Sequence, residues 1–153
     1  MDAKFNKLIE DLHSKYETLI SMRPFTIGTV PSDCPVGGVY LFSENGIHLY
    51  TGRTKRNIRE RLKYHVSKAN DCPFAWHLAR VQTGKTEASY KIKGSRKDLL
   101  TQDDFKQAYE QAKARIRQME VRYIGESDPV KQALLEIYVA VVSDAKYNDF
   151  DTH

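Results

Sequence analysis

Two short runs of β-forming residues, 36–42 and 47–51, are separated by Ser43-Glu44-Asn45-Gly46. Asn-Gly readily adopts the positive φ angles of a two-residue hairpin turn, and the twist of that turn matches the strands it joins. Strands connected in this way lie side by side and run antiparallel. This segment constrains the fold more than any other part of the chain, because it predicts two paired antiparallel strands.

Helices are predicted for most of the remaining chain. Apolar residues recur at steps of three and four over 5–20, a pattern typical of an amphipathic helix. In order, the predicted elements are that helix, a loop over 22–34, the hairpin, helices over 57–69, 74–81 and 101–117, a strand over 119–124, and a helix that begins at Asp128-Pro129. Together they predict an α+β fold, with a small three-stranded antiparallel sheet flanked by helices.

The chain has 153 residues, enough for one domain with a modest core. We divide it into an N-terminal helix and connecting loop, 1–35, and a main domain, 36–153. The polar stretch at about 84–118 is interpreted as an insertion into that domain. Within it, Thr101-Gln102-Asp103-Asp104 resembles an N-terminal helix cap.

Charge and composition limit the classes of partner. The formal charge is +4 and the pI is 9.0, and excess positive charge attracts polyanions by neutralising phosphates. The sequence contains no run of ~18 apolar residues that would span a membrane, and residues 1–4 lack a signal-peptide core. Neither Cys34 nor Cys72 has a CxxC partner, as expected for reduced thiols. We therefore expect a cytoplasmic protein without membrane association.

Basic residues are concentrated between Arg53 and Lys68, where Glu60 is the only acid. A solvated helix face is the ordinary explanation of such a stretch. Contact with nucleic-acid phosphates is the functional one. The residues assigned to such contacts are Arg53, Lys55, Arg56, Arg59, Lys63 and Lys68.

Glu136 is the only charged residue in the apolar segment 132–143. A helix that is apolar nearly all round is expected to be buried, and an unpaired buried carboxylate costs several kcal/mol. Glu136 must then be protonated, paired with a cation or bound to a metal. A structural ion pair with a buried arginine and a metal site are both open.

Two tyrosines occupy the facing strands of the hairpin, in Gly38-Val39-Tyr40 and Tyr50-Thr51-Gly52. Strand tyrosines are most often β-formers packed at an edge. The adjacent glycines offer a second interpretation, because they would let a phosphate backbone come close.

Arg61 and His65 form an i, i+4 pair on the helix that follows. With Ile58 and Leu62 they complete one face, so the pair is expected at the shoulder of the stripe that packs on the sheet. Arginine has the planar fork needed to grip a phosphate.

Taken together, these motifs resemble the GIY-YIG nucleases. The resemblance covers about residues 36–148, with 70–118 only loosely matched. It rests on Tyr-to-Tyr, Arg-to-His and Glu-to-Asn steps of ten (50 − 40), four (65 − 61) and twelve (148 − 136). The motif residues are Gly38-Val39-Tyr40, Tyr50-Thr51-Gly52, Arg61, His65, Glu136 and Asn148.

Some positions depart from the family pattern. Thr51 replaces the usual Ile or Val, and Ala145 replaces a common Pro. Gly52 to Arg61 spans nine residues (61 − 52), about one longer than the pattern. Arg59 is therefore an alternative for the family's arginine, although His65 favours Arg61.

The resemblance implies a metal-dependent endonuclease that hydrolyses DNA phosphodiester bonds, with RNA as an alternative substrate. Glu136 would hold one Mg²⁺ or Mn²⁺ ion, and Arg61 would bind the non-bridging phosphate oxygens. Tyr40 would act as general base, its pKa lowered by His65, Arg53 or the metal.

Two further roles follow from the resemblance. Tyr50 would orient the water or the phosphate, and Asn148 would hold the site or a phosphate by hydrogen bonds. The six residues Tyr40, Tyr50, Arg61, His65, Glu136 and Asn148 are the predicted catalytic set.

Two other functions compete with the nuclease. One is a non-catalytic nucleic-acid-binding module on the same fold, and the other is an interaction domain whose basic helix meets an acidic protein. A monomer and a homodimer are both compatible with the sequence. The remaining histidines have no ligand-like grouping, so we expect no zinc site: His13, His48, His77 and His153.

Overall fold

The computed structural model describes residues 1–85, 96–148 and 150. Its sheet has the order β2-β1-β3, with β1 antiparallel to both neighbours. The strands are β1 (Val36–Glu44), β2 (Ile47–Asn57) and β3 (Glu120–Gly125). The helices are α1 (Ala3–Ser21), α2 (Ile58–Tyr64), α3 (Pro73–Thr83), α4 (Arg96–Leu100), α5 (Asp103–Arg117) and α6 (Pro129–Val142). The predicted α+β class and three-stranded antiparallel sheet are confirmed.

The hairpin forms at the predicted turn. Asn45 and Gly46 have φ angles of 52° and 78°, the positive values that a two-residue turn of this kind requires. β2 continues to Asn57, six residues beyond the predicted end at 51 (57 − 51). Its last residues are mostly polar, because they lie at an edge of the sheet where solvent rather than the core meets their side chains.

The two faces of the sheet carry separate hydrophobic clusters, since side chains alternate along a strand. Val39 and Leu41 pack with α1 and α6. Tyr40 and Phe42 face the opposite way, into a larger cluster built with α2, α3 and α5. The sheet is therefore the middle layer of three.

Helix boundaries follow local signals where these are strong. The Asp128 side chain accepts a hydrogen bond from the Lys131 backbone at the start of α6, as the Asp-Pro signal predicts. The predicted cap of α5 is wrong in detail, because Gln102 is its N-cap and makes no side-chain capping bond. α2 ends at Tyr64 rather than at 69, and His65 is its C-cap.

The prediction that the last helix is buried all round is wrong. Leu135 and Val139 are buried against the sheet, but the opposite side of α6 is open. Its exposed apolar residues are Val130, Ile137, Val141 and Val142.

Both outer edges of the sheet are partly covered. The backbone N–H groups of Lys146 and Tyr147 donate to His48 and Leu49 of β2, at 3.5 and 2.8 Å. On the other side, Phe25 pairs with Val121 of β3. Covering edge strands in this way leaves fewer free backbone groups for pairing with other chains.

The predicted insertion at about 84–118 contains α4 and α5, and its residues 86–95 lie outside the described part of the chain. Among the described residues, no helix is long and apolar enough to cross a membrane. α1 packs on α6 and β3, so the N-terminal helix belongs to the same body as the sheet.

Candidate active site

Tyr40 and His65 meet beneath the sheet, and both are fully buried. The hydroxyl Oη of Tyr40 lies 2.6 Å from His65 Nε2, within hydrogen-bond distance. Rings surround the pair: Phe42 and Tyr50 pack edge-on against His65, and Tyr50 stacks on Phe74 with centroids 4.7 Å apart. His65 is more deeply buried than its predicted position at the edge of the apolar helix face, because this aromatic cluster encloses the imidazole.

Burial decides the protonation of this pair. It raises the pKa of Tyr40 to about 12, and the positive charge and hydrogen bond of Arg61 offset only part of that effect. Burial and the Arg61 charge lower the pKa of His65 to about 3. The expectation that nearby cations bring the pKa of Tyr40 below its ordinary value is therefore wrong for the free protein, because burial outweighs the Arg61 charge and His65 is uncharged at neutral pH.

Arg61 is the arginine that reaches the tyrosine. Its Nε donates to Tyr40 Oη at 3.4 Å, and its guanidinium carbon lies 5.3 Å from the ring centroid of Tyr64. Arg59, the alternative, uses its backbone N–H to contact Cys34 Sγ at 3.3 Å. Arg61 and His65, four residues apart on the chain, therefore contact the same hydroxyl.

The glycines of the two motifs make room for protein atoms. A Cβ on Gly52 would lie well inside 3.0 Å of Tyr40 Oη, and one on Gly38 would collide with the carbonyl oxygen of Ile124. The interpretation that these glycines admit a phosphate backbone is not supported. They permit close packing of β1 against its neighbours.

Glu136 lies on the other side of β2, half-buried, with 20% of its side chain exposed. Its Oε1 is 3.8 Å from Nε of Arg53, whose side chain is 44% exposed, so neither a deeply buried carboxylate nor a buried arginine partner is present. Desolvation raises the pKa of Glu136, and the charge and backbone hydrogen bond of Arg53 and the charge of Arg61 oppose that rise.

Asn148 contacts the backbone of β2. Its Oδ1 accepts from the Thr51 N–H, and its Nδ2 donates to the Thr51 carbonyl, both at 2.8 Å. Asn148 therefore positions the strand between Tyr50 and Gly52.

The outer edge of β2 lies between the buried Tyr40–His65 pair and Glu136. Because Asn148 binds the N–H and C=O of Thr51, these groups point away from β1, and those of Arg53 two residues later point the same way. The Glu136 carboxylate meets the Arg53 backbone there, and its charge raises the pKa of Tyr40 and Tyr50. The Glu136 charge therefore acts on both tyrosines across the strand edge, although burial is the main cause of their raised pKa values.

Glu136 is the residue that could hold a metal ion. The described residues contain no group of three or more His, Cys, Asp or Glu side chains able to bind one. Mg²⁺, however, is often held by one or two carboxylates, with waters and substrate phosphates completing its shell. A partly exposed carboxylate beside an arginine fits that type of site, provided that substrate supplies further ligands.

The predicted nucleic-acid-binding residues separate into two groups. Arg53, Lys55 and Arg56 line a cavity of about 350 Å³ that Arg61 also lines. Arg59, Lys63 and Lys68 do not line it. Sequence reasoning missed two lining residues, Thr54 and Tyr64; the i, i+3 step from Arg61 to Tyr64 was the signal for the second.

Comparisons with protein-family models, curated proteins and solved structures found no match to this chain. A functional argument therefore depends on the motif residues and on the geometry of the site.

Proposed function

We propose that this protein is a metal-dependent endonuclease that hydrolyses DNA phosphodiester bonds with a GIY-YIG-like site. The observation that carries the proposal is the meeting of two groups at one hydroxyl: Tyr40 Oη lies within reach of His65 Nε2 and Arg61 Nε. The Glu136 carboxylate acts electrostatically on the same tyrosine. Phosphodiester hydrolysis needs a proton acceptor, a cation for the phosphate and a carboxylate for a metal, and these residue types are present.

In the proposed mechanism, Tyr40 and His65 remove the proton from the attacking water. A tyrosine with a pKa of about 12 is protonated at neutral pH, so it can accept a proton only as it releases its own. His65 Nε2 is unprotonated and 2.6 Å away, so it is the atom positioned to accept that proton. Burial and the Arg61 charge hold the pKa of His65 at about 3, and the negative charge of the bound phosphate would have to offset them for the transfer to occur. In this tautomer the proton of the free imidazole is on Nδ1, which has no hydrogen-bond partner within the described residues.

The bond changes then follow in one displacement. The water oxygen bonds to phosphorus while its proton passes to Tyr40 Oη and the tyrosine proton passes to His65. The bond from phosphorus to the leaving ester oxygen breaks, and that oxygen keeps the electron pair before taking a proton from solvent. Arg61 holds the non-bridging oxygens, whose charge grows in the transition state. When bound at Glu136, Mg²⁺ or Mn²⁺ would supply Lewis-acid stabilisation of the leaving oxygen.

The other parts of the proposal concern location and partner. Cys34 and Cys72 are free and buried, as suits a protein of the reducing cytoplasm. The exposed cations Arg53, Lys55 and Arg56 support a polyanionic partner, and DNA is the one we propose.

Cleavage of supercoiled plasmid by the purified protein, with Mg²⁺, with Mn²⁺ and with EDTA, tests the function. We expect nicking or linearisation that needs the metal and falls about 10³-fold or more in Glu136→Gln, since a metal contributes several kcal/mol to such a transition state. Glu10→Gln is the control, because it removes the same charge from an exposed position on α1.

Full activity of Glu136→Gln would remove Glu136 from the mechanism. Binding of DNA by the wild-type protein without metal-dependent cleavage would replace the nuclease by the non-catalytic binding module.

A further inference from the structure

The end of β2 contains a β-bulge made of two basic residues. Thr54 pairs with Gly38 and Asn57 pairs with Val36, so 55–56 on β2 lie opposite the single residue 37 on β1. A bulge of this kind breaks the regular alternation of side chains along a strand and often redirects them beside a functional site.

Four consecutive residues at and just before the bulge line one cavity. In a regular strand, residues 53 and 55 would face one way and residues 54 and 56 the other. Here all four line the same cavity, together with Arg61 and Tyr64 of α2. The bulge is stabilised by the Thr54 hydroxyl, which accepts a hydrogen bond from the Arg56 backbone N–H at 3.0 Å.

The charges around this cavity are unbalanced. Its six lining residues include four cations and no carboxylate. Arg53 has an ion-pair partner in Glu136, at 3.8 Å, whereas no described carboxylate lies within 4.0 Å of Lys55 or Arg56. Like charges held close together repel, and an anion between them removes that repulsion.

We propose that the bulge cavity binds a backbone phosphate of the nucleic-acid strand, next to the phosphate that is cut. Arg61 joins the two positions, because it lines the cavity and also donates to Tyr40 Oη. On this path, the nucleic-acid strand runs from Tyr40 past Arg61 to Lys55 and Arg56, along the end of β2. This inference deepens the proposed function, on which it rests for the identity of the cut phosphate.

The path excludes the other basic residues of the same stretch. Lys63 and Lys68 are exposed but do not line the cavity, so they lie off the proposed strand. Two pairs of cations, a few residues apart in the chain, thus have different expected roles.

Binding of a fluorescent double-stranded oligonucleotide in EDTA, measured by anisotropy at several salt concentrations, tests the path. We expect the double variant Lys55→Gln, Arg56→Gln to bind about 100-fold more weakly near 0.1 M salt, with a salt slope smaller by about 1, since losing the contact with one phosphate removes about one counterion. The control Lys63→Gln, Lys68→Gln loses the same charge and should keep the wild-type slope. All four side chains are exposed, so both variants should keep the melting temperature of the wild type.

Equal weakening in the two variants would overturn the path, because net charge alone would then explain binding. A wild-type salt slope in the Lys55→Gln, Arg56→Gln variant would also overturn the proposed path. These outcomes do not depend on cleavage. If the plasmid remains uncut but the two variants differ as expected, the cavity stands as a phosphate site and the proposed nuclease fails. If the plasmid is cut and the two variants bind alike, the nuclease stands and the phosphate site in the cavity fails.

Discussion

The two halves of the candidate site lie on different sides of β2 and differ most in their access to water. On the inner side, Tyr40 and His65 are fully buried among aromatic rings. On the outer side, Glu136 is 20% exposed and Arg53 is 44% exposed. The two halves are nevertheless coupled, because the Glu136 charge raises the pKa of Tyr40.

This difference separates proton transfer from charge binding. Burial disfavours charged forms, so it keeps the Tyr40 proton in place and His65 neutral. Solvent allows the outer half to keep several cations and one carboxylate close together at low cost. A site of this kind keeps bulk water away from His65, while the outer half receives a hydrated polyanion together with the water that attacks it.

Removing the Tyr40 hydroxyl should have the largest effect of the tests that separate the two halves. Tyr40→Phe keeps the ring but removes the group that contacts His65 and Arg61, so we expect cleavage to slow about 100-fold or more. DNA affinity should not change, because the outer cations remain. Initial rates and anisotropy on the same preparation measure both effects.

Tyr123→Phe is the matched control, since Tyr123 pairs with Tyr40 in the sheet register but lies on β3, away from His65. An unchanged rate in Tyr40→Phe would mean that the hydroxyl is structural, and the inner half would lose its chemical role.

A methyl group at Gly52 should disturb the inner half alone. The Cβ of Gly52→Ala would collide with Tyr40 Oη, in a fully buried ring that has little room to move. We expect a loss of about 2 to 3 kcal/mol in the free energy of unfolding, near the upper end for overpacking. Gly28→Ala is the control, because a Cβ there would meet nothing within 4 Å. Equal stability of the two variants in urea would show that the packing around Tyr40 is loose.

The pH dependence of stability should report burial of His65. Its folded-state pKa of about 3 lies below the ordinary 6.5, so the unfolded chain binds the proton first. Stability contributed by neutral His65 is therefore complete above pH 6.5 and is lost as the pH falls toward 3. Between pH 6.5 and 5 we expect a loss of about 2 kcal/mol from this residue, at about 1.4 kcal/mol per pH unit.

Urea unfolding of wild type and His65→Gln at several pH values isolates that contribution. The variant should show a shallower fall below pH 6.5, whatever its stability at neutral pH. His48→Gln is the comparison, because burial also lowers the pKa of His48, which is only partly buried. Parallel curves for wild type and His65→Gln would place His65 in contact with water.

Local signals explain how much of the fold could be predicted. Asn45-Gly46 and Asp128-Pro129 act on their own neighbours, through positive φ angles at the turn and capping at the helix start. The spacing between Tyr40, Tyr50, Arg61, His65 and Glu136 predicted a common site. Arg61 and His65 both contact the Tyr40 hydroxyl and Tyr50 packs on His65, whereas Glu136 lies across β2 beside Arg53. Asn148 also reaches the site region, through the backbone of Thr51.

The sequence by itself determined the fold class and the order of the main elements, and it named the candidate site residues, because backbone preferences act over only a few residues at a time. Only the tertiary structure decided which groups are buried. Burial of His65 depends on rings from β1, β2 and α3. Exposure of one side of α6 depends on where the other elements of the fold lie. The bulge at 55–56 depends on pairing with a distant strand segment, which no local pattern in β2 specifies. Protonation and charge balance follow from these long-range contacts, since desolvation is a property of the assembled fold.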